Sequence, residues 1–379
     1  MDTAGCNNEH LPSTQEHAVE RLDRREFVQQ TVCGALTLPA LVAAQHTSRG
    51  QAGAAQPPIK IGQIGVGHAH ASKLEVYRRS PEYEVVGIVE PDDELRRRAE
   101  SQAPYRDLPW MTRDQLLNVA GLQAVLVETR VRDLLGAADV CVSAGMHVHL
   151  DKPAGESLPD YRRILDAAAE KKLLVQMGYM YRYNPAVILL RQMLQKGWLG
   201  EPFEVHTVMS KVVGDADRRQ LAQYPGGILF ELGCHVIDLV LGVLGPPQEV
   251  SHFAQHVSPL PDTLKDNMLA VFRYPRAIAS VKSSAQEVEG GERRHLVVCG
   301  TEGTFHIQPL DNPSARVVLS KPRGEHRQGI QEIRFPKYER YIADAADMAR
   351  IIRGEKPADF TYAHDLAVQE TLLRACGLS

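Results

Sequence analysis

The sequence predicts an α/β protein with a doubly wound parallel sheet in its first half and a mostly antiparallel open sheet in its second half. In the first half, short apolar segments alternate with helical patterns, which is typical of parallel strands joined by crossover helices. In the second half, segments of alternating polarity follow one another between Glu249 and Phe335, as in antiparallel sheets with one packed face. Two helical patterns then close the chain.

Length and composition limit the classes of function. A chain of 379 residues is long enough for two domains. Its 43 Lys and Arg stand against 47 Asp and Glu, a net charge of −4, so charge gives no reason to expect nucleic acid or an anionic membrane as partner. The six cysteines are scattered without a CxxC pair, which indicates neither a zinc site nor a disulfide framework.

The N-terminal segment 1–56 has the layout of a twin-arginine export signal followed by a linker. Arg24 and Arg25 precede a mildly apolar run over 31–44, with small residues after it. This pattern predicts export to the periplasm through the twin-arginine machinery. The alternative is a tail with a chance arginine pair on a cytoplasmic protein. The run is too short for a stable membrane anchor, and charged residues interrupt the later apolar run over 228–245.

A dinucleotide fingerprint follows the first predicted strand. Gly65 would permit the tight turn, and Gly67 would let the backbone approach a pyrophosphate. Val66 and His68 belong to the same loop. The third glycine of the fingerprint is missing, because His70 stands there, so we expect a displaced helix or a different loop path.

An acid ends the second predicted strand. Glu90 could accept hydrogen bonds from a ribose diol and would repel a 2′-phosphate, which favours NAD over NADP. The run 96–98 of three arginines leaves NADP as an alternative, although such runs also form ordinary solvated helix faces. Thr129 and Lys152 end the next strands, so these side chains are expected in one crevice at the carboxyl ends of the sheet.

Lys152 and Pro153 follow Asp151 directly, and His235 lies between Glu231 and Asp238. These motifs, together with others, resemble the Gfo/Idh/MocA oxidoreductases, from about residue 57 to the C-terminus. Asp151 replaces the Glu of the family's Glu-Lys-Pro signature, and Glu231 replaces the usual Asp of its Asp-x-x-x-His-x-x-Asp helix. The resemblance implies a Rossmann-type NAD(P)-binding domain over 57–177 and a substrate and oligomerisation domain over 178–379. It also implies a homodimer or homotetramer. The matching segments are 151–153, 178–185, 226–238, 300–304 and 352–357.

The resemblance also implies the catalytic residues. His235 would be the general base, Glu231 would take the place of the family's assisting Asp, and Lys152 would bind the reacting oxygen. From spacing alone, Glu231, His235 and Asp238 share one face of a helix. Tyr181, Arg182 and Asp238 are candidates for the substrate pocket. The ordinary alternatives are a core histidine, a surface lysine at a strand end and packing at the domain junction.

The remaining expectations concern ligands. The histidines at 68, 70, 147 and 149 fit no familiar zinc spacing, so we expect no metal. The residues expected at the cofactor are Gly65, Val66, Gly67, His68, Glu90, Thr129, Asp151 and Lys152.

The sequence therefore predicts an oxidoreductase that moves a hydride between NAD(P) and a hydroxyl of a sugar, polyol or glycoside. Export would require the cofactor to be tightly bound, since free NAD is scarce outside the cytoplasm. That requirement raises an alternative, a glycoside hydrolase that oxidises its substrate transiently and reduces it again. A catalytically silent protein that binds a sugar or a nucleotide is the third alternative.

Overall fold

A computed structural model describes residues 56–378, so the proposed export signal lies outside the described residues. Its first sheet has five parallel strands in the order β2-β1-β3-β4-β5. This order places the carboxyl end of β1 between those of β2 and β3, where doubly wound sheets bind their ligands. The strands are β1 (Ile59–Ile64), β2 (Tyr83–Val89), β3 (Leu122–Val127), β4 (His147–Leu150) and β5 (Val175–Met177).

Five helices pack on this sheet, and side-chain caps begin several of them. Asp92 accepts from Glu94 N and Leu95 N, and Ser157 accepts from Asp160 N, which satisfies amides that have no partner within the helix. A 3₁₀ turn, Ala71–Lys73, precedes the first helix. The helices are α1 (Leu74–Arg79), α2 (Asp93–Glu100), α3 (Arg113–Leu117), α4 (Leu134–Ser143) and α5 (Leu158–Glu170).

The second sheet has eight strands in the order β13-β12-β11-β10-β6-β9-β8-β7, and all pairs are antiparallel except β6 with β9. Buried and less buried residues alternate along its central strands, because one face packs on helices and the other is open. The predicted fold class is thus confirmed. The strands are β6 (Pro202–Val208), β7 (Glu249–Gln255), β8 (Asn267–Arg273), β9 (Ile278–Ser284), β10 (His295–Gly300), β11 (Gly303–Ile307), β12 (Ser314–Leu319) and β13 (Gly329–Arg334).

The central helix of the second domain is irregular around Glu231, one of the expected catalytic residues. Leu229–Gly233 is a π-helix that leads directly into the α-helix Cys234–Leu244, whereas the spacing predicted one regular α-helix. Short π segments of this kind often occur at functional sites. The helices after α5 are α6 (Pro185–Gln195), α7 (Asp215–Leu221), α8 (Cys234–Leu244), α9 (Ile342–Ile352) and α10 (Tyr362–Ala375).

Helix α9 returns to the first domain although it lies late in the chain. Ala345 and Met348 are buried in the same apolar cluster as Ile59 and Leu74. The Tyr83 hydroxyl donates to the Ala345 carbonyl at 2.7 Å. The boundary expected between residues 177 and 178 therefore separates the two sheets. The apolar core of the first domain, however, includes residues from both sides of that boundary. Within 56–378, no helix has both the length and the apolar character needed to cross a bilayer.

Asp344, in the first turn of α9, predicts a specific pH dependence of stability. Burial raises the pKa of this carboxyl from 3.8 to about 7, and its Oδ1 has no hydrogen-bond partner within 56–378. The folded protein therefore holds more protons than the unfolded chain between about pH 4 and pH 7, so this group makes stability fall as pH rises through that window. We expect Asp344→Asn to raise the free energy of unfolding at pH 8 by up to about 3 kcal/mol.

Urea unfolding of wild type and Asp344→Asn at pH 4.5 and pH 8 checks this expectation. The exposed Asp160, replaced by Asn, is the matched control and should leave the pH profile unchanged. An identical difference between the two pH values in wild type and Asp344→Asn would contradict the assignment.

Candidate active site

The glycine loop after β1 is built as a dinucleotide cradle requires. Gly65 has φ 92°, and a Cβ added there would lie 2.5 Å from the backbone nitrogen of Thr129, so only glycine fits. The amides of Gly67 and Ala69 make no hydrogen bond with any residue in 56–378. Two amides of one loop are thus available to a pyrophosphate, which is the donor set that this group needs.

Glu90 is held beside the same loop. Its Oε2 accepts from Val66 N at 2.8 Å and its Oε1 accepts from Asp92 N at 2.9 Å. The carboxylate at the end of β2 is therefore fixed against the glycine loop, where a bound nucleotide would present its ribose. The residues of the cradle consequently fit NAD.

Lys152 and Glu231 form a buried ion pair between the two domains. Lys152 Nζ donates to the Oε1 and to the carbonyl of Glu231, both at 2.9 Å, and the side chains are 1% and 13% exposed. Burial alone would lower the pKa of Lys152, but the charge of Glu231 outweighs it and raises that pKa. In turn, burial favours neutral Glu231, but Lys152 keeps the pKa of Glu231 below its ordinary value. Both groups are therefore charged at neutral pH.

His235 lies in the first turn of α8, shortly after Glu231 in the sequence. Burial, followed by the charge of Lys152, holds the pKa of His235 well below its ordinary value, so its imidazole is neutral at neutral pH. Its Nδ1 is buried and has no hydrogen-bond partner within the described chain. The ring centroid lies 5.5 Å from that of Tyr181 and 5.9 Å from that of His70. A neutral imidazole with an unpaired nitrogen can accept a proton.

His70, at the position of the missing glycine, borders the site from the loop side. Its Nδ1 lies 3.2 Å from Asp151 Oδ1, and its side chain is 17% exposed. Burial lowers the pKa of His70 to about 4 although Asp151 opposes this shift. The ring thus stands between Asp151 and His235 and forms part of the wall that the two domains share.

Beneath the glycine loop lies a group of buried polar residues that we name the strand-end cluster: His68, His70, Lys73, Glu128 and Asp151. Lys73 Nζ lies 2.8 Å from Asp151 Oδ2 and 3.0 Å from Glu128 Oε1. Burial and the neighbouring charge of Asp151 raise the pKa of Glu128 well above its ordinary value. For Asp151, burial is opposed by His68 and Lys73, which hold its pKa well below the ordinary value.

Two residues expected at the cofactor point into this cluster. His68 Nε2 donates to the carbonyl of Lys152 at 2.9 Å, and its Nδ1 lies 3.1 Å from Asp151 Oδ2. Asp151 has further contacts with Lys73, His70 and its neighbour's amide, Lys152 N, at 2.7 Å. These contacts engage both oxygens of Asp151 with protein groups. Gly65, Val66, Gly67, Glu90, Thr129 and Lys152, in contrast, all lie at the strand ends, as expected.

Arg182 and Asp238 occupy a place that differs from the expected substrate pocket. They form a buried ion pair, 3% and 2% exposed, in which Arg182 also contacts Asp365. His364 Nε2 lies 2.9 Å from Asp238 Oδ1. The side chains are committed to each other between α8 and α10, so the structure corrects the expectation that they line the substrate pocket. The spacing rule failed here because Asp238 lies beyond the π segment and is directed toward α10.

A group of charged side chains lies near Tyr181 that was not predicted from the sequence. The Tyr181 hydroxyl donates to Asp311, which also forms ion pairs with Arg294 and Arg340. The charge of Arg294 contributes to the low pKa of His235, although burial is the main cause. Arg294, Asp311 and Arg340 belong to loops outside the motifs, so no spacing or periodicity indicated them.

The geometry defines a class: an NAD-binding oxidoreductase whose site lies between a dinucleotide cradle and a second domain. Residues 59–179 match a family model described as the oxidoreductase family with an NAD-binding Rossmann fold. Residues 187–306 match the model of the GFO/IDH/MocA C-terminal domain. The chain belongs to the Gfo/Idh/MocA family of oxidoreductases.

Dehydrogenases are among the similar proteins. Bovine trans-1,2-dihydrobenzene-1,2-diol dehydrogenase is 24% identical over 278 residues, which cover 71% of this chain and 79% of that protein. Bacillus subtilis scyllo-inositol 2-dehydrogenase (NAD(+)) is 22% identical over 309 residues, which cover 79% of this chain and 86% of that protein. The structure of GenD2 from gentamicin A biosynthesis, in complex with NAD, has a TM-score of 0.71 and 21% identity. It covers 90% of this chain and 97% of its own, and shows that the two share a fold.

Replacement of Gly65 tests the cradle directly. We expect Gly65→Ala to weaken NAD binding by at least about tenfold, because the added methyl group meets the backbone at Thr129 and the positive φ disfavours alanine. Gly136→Ala is the matched control, since a Cβ at Gly136 meets nothing within 4 Å. Calorimetric titration with NAD measures both variants, and equal affinities in the two would contradict the assignment.

Proposed function

We propose that this protein transfers a hydride between NAD and a CH–OH group of a sugar, polyol or glycoside. The observation that carries the proposal is the convergence of the Lys152–Glu231 pair and His235 beside the glycine loop. Oxidation of a carbinol needs a proton acceptor, stabilisation of the negative charge that develops on oxygen, and a hydride acceptor. The first two are supplied by residues of this chain.

Each residue has a separate task in this proposal. Neutral His235 accepts the hydroxyl proton of the substrate and returns it in the reverse direction. Lys152, kept protonated by Glu231, donates a hydrogen bond to the reacting oxygen and stabilises its negative charge. Bound NAD supplies the hydride acceptor. Tyr181 lies beside His235, and Asp311, which accepts from the Tyr181 hydroxyl, also pairs with Arg294 and Arg340; polar groups of this kind suit a polyhydroxylated substrate.

NAD rather than NADP is the proposed cofactor. The Glu90 carboxylate beside the loop would repel a 2′-phosphate. Two of the three arginines at 96–98 are engaged elsewhere, because Arg96 pairs with Glu100 and Arg98 pairs with Glu94 on the surface of α2. We further propose that NAD stays tightly bound and that the protein acts in the periplasm after twin-arginine export, on the sequence pattern of segment 1–56. Export of a folded holoprotein would explain a retained cofactor.

A second candidate function follows from the same export pattern. A retained cofactor must be restored within each cycle, either by a second sugar or by the same substrate. The latter case is a redox-assisted glycoside hydrolase with the same residues and a different net reaction. A third alternative is a catalytically silent protein that binds a sugar or a nucleotide. It is suggested by the acid exchanges at Asp151 and Glu231 and by the histidine at position 70.

Analysis of the purified protein and its products separates these functions. A denatured extract is examined for NAD(H) or NADP(H), and a panel of inositols, aldoses and nitrophenyl glycosides is incubated without added cofactor. Mass spectrometry then identifies the products. Ketone formation coupled to reduction of NAD supports the dehydrogenase, and release of nitrophenol without net oxidation supports the hydrolase. A protein that carries no nucleotide, binds none when it is added and converts no substrate contradicts both.

A second copy of the chain is the proposed partner. On the open face of the second sheet, Phe253, Ile278 and Ile330 are each at least half exposed. Val318 and Leu269 are partly exposed and lie opposite Ile330 and Phe253 on that face.

 Exposed apolar side chains spread over one sheet face suit burial against an identical face. Light scattering on a size-exclusion column should give a dimer or tetramer for wild type and a smaller species for Phe253→Glu. Val288→Glu, in an exposed loop, is the control.

A further inference from the structure

We propose that the strand-end cluster binds one divalent transition-metal ion through His68 Nδ1, His70 Nδ1 and the carboxylate of Asp151. One ligand atom from each of these residues lies within 4.8 Å of the others. Two of the residues come from the glycine loop and the third comes from the end of β4, so only the fold brings them together. The cluster reaches the surface at His70, which is 17% exposed and gives an ion a route of entry.

The separations between the ligand atoms suit a shared metal ion. His68 Nδ1 lies 3.1 Å from Asp151 Oδ2, and His70 Nδ1 lies 3.2 Å from Asp151 Oδ1. Ligand atoms at about 2.0–2.2 Å from a metal stand roughly 2.8–3.6 Å apart at octahedral or tetrahedral angles. These distances are therefore close to those of ligands in the same coordination sphere.

The hydrogen-bond pattern of His68 places its acceptor nitrogen beside a carboxylate. Its Nε2 lies 2.9 Å from the Lys152 carbonyl, which can only accept, so this nitrogen carries the hydrogen. Nδ1 accepts from His70 N at 3.2 Å and faces Asp151 Oδ2 as well. Two lone pairs facing each other are unfavourable unless a proton or a metal ion lies between them, and a divalent ion can take this position. Metal-bound histidines usually donate their other N–H to a carbonyl or carboxylate, as His68 does.

The cluster holds two carboxyl groups beside one ammonium group. Asp151 and Glu128 are both fully buried, and within 56–378 Lys73 is the ammonium group that forms ion pairs with them. Glu128 Oε2 has no hydrogen-bond partner within 56–378 and lies 3.9 Å from His68 Nδ1. It can therefore serve as a further ligand or accept a hydrogen bond from a metal-bound water.

The donor set indicates the class of ion. Two imidazole nitrogens and one carboxylate suit Zn²⁺ or a neighbouring first-row ion better than Mg²⁺ or Ca²⁺, which prefer oxygen ligands alone. Three protein ligands leave a coordination position for water or a substrate oxygen. His235 is the neighbour of His70 across the site, so an oxygen bound there would lie beside the proposed base.

Metal content measures this inference without any assay of activity. Full-length protein without an affinity tag is stripped with EDTA and incubated with ZnCl₂, and bound zinc is counted by mass spectrometry after gel filtration. Wild type should retain about one zinc per chain, and His68→Ala and His70→Gly should each retain less than about a fifth of that. His70→Gly also restores the usual third glycine, so its fold and its loop should tolerate the change.

The controls separate the site from other histidines. His306→Ala, on the second sheet, should keep the wild-type zinc content, and Co²⁺ added to wild type should give a visible absorption band that His70→Gly lacks. Equal zinc in wild type, His68→Ala and His70→Gly, or none in wild type, would overturn the proposal. NAD content is measured in the same samples, so loss of the proposed function and loss of the metal are read independently.

Discussion

Lys152→Met is expected to reduce kcat by about 10²–10³-fold on the substrate that the product analysis identifies. Methionine retains the length of the side chain but cannot donate to the reacting oxygen, so the negative charge that develops there loses its nearest cation. The same change leaves the Glu231 carboxylate without its partner. We therefore expect the loss to fall mainly on kcat, because the missing interaction is strongest in the transition state.

Initial rates and bound NAD are measured together for this variant. Lys337→Met, at an exposed position, is the matched control and should retain wild-type kcat. Circular dichroism and NAD content should be unchanged in Lys152→Met, which would assign the loss to chemistry rather than to folding. Turnover within threefold of wild type would contradict the role proposed for Lys152.

Arg182→Met is expected to lower the free energy of unfolding by about 3–5 kcal/mol, since it leaves two buried carboxylates without their cation. Asp238 and Asp365 both contact the guanidinium group of Arg182 and are almost fully buried. Burial favours the neutral form of Asp238, but Arg182 and His364 lower its pKa to about 2. Removal of Arg182 therefore exposes the full desolvation cost of that carboxylate.

Urea unfolding of matched variants measures this effect. Arg163→Met breaks an exposed ion pair with Asp139 and should cost less than about 1 kcal/mol. Adding Asp365→Asn to Arg182→Met should recover part of the loss, because one of the two unpaired charges disappears. If Arg182→Met unfolds like wild type but has a raised KM, Arg182 acts on the substrate and the structural assignment is wrong.

The parts of the molecule that the sequence predicted depend on local patterns. Gly65 and Gly67 lie on the turn expected of them because a positive φ and close packing of the backbone leave a recognisable pair of glycines. Glu90 and Lys152 lie at the carboxyl ends of parallel strands, so both lie on the same edge of the sheet whatever the connections are. The positions of these residues at the edge of the sheet could therefore be predicted without knowledge of their contacts.

The parts that could not be predicted depend on contacts between distant segments. Arg182 and Asp365 are separated by 183 positions, and nothing in their neighbours shows that they meet. The same is true of the strand-end cluster, where Asp151 joins two histidines of a loop far away in the chain. The π-helix at Glu231 is invisible in the spacing, because side chains four apart suit a regular helix as well.

Helix α9 limits how the molecule could be dissected. Because Ala345 and Met348 complete the apolar cluster around Leu74, a fragment that ends at the last strand of the first sheet would expose that surface to water. The nucleotide-binding half is consequently not expected to fold as an independent fragment. A fragment meant to fold alone would have to carry α9 with it, fused through a designed connection.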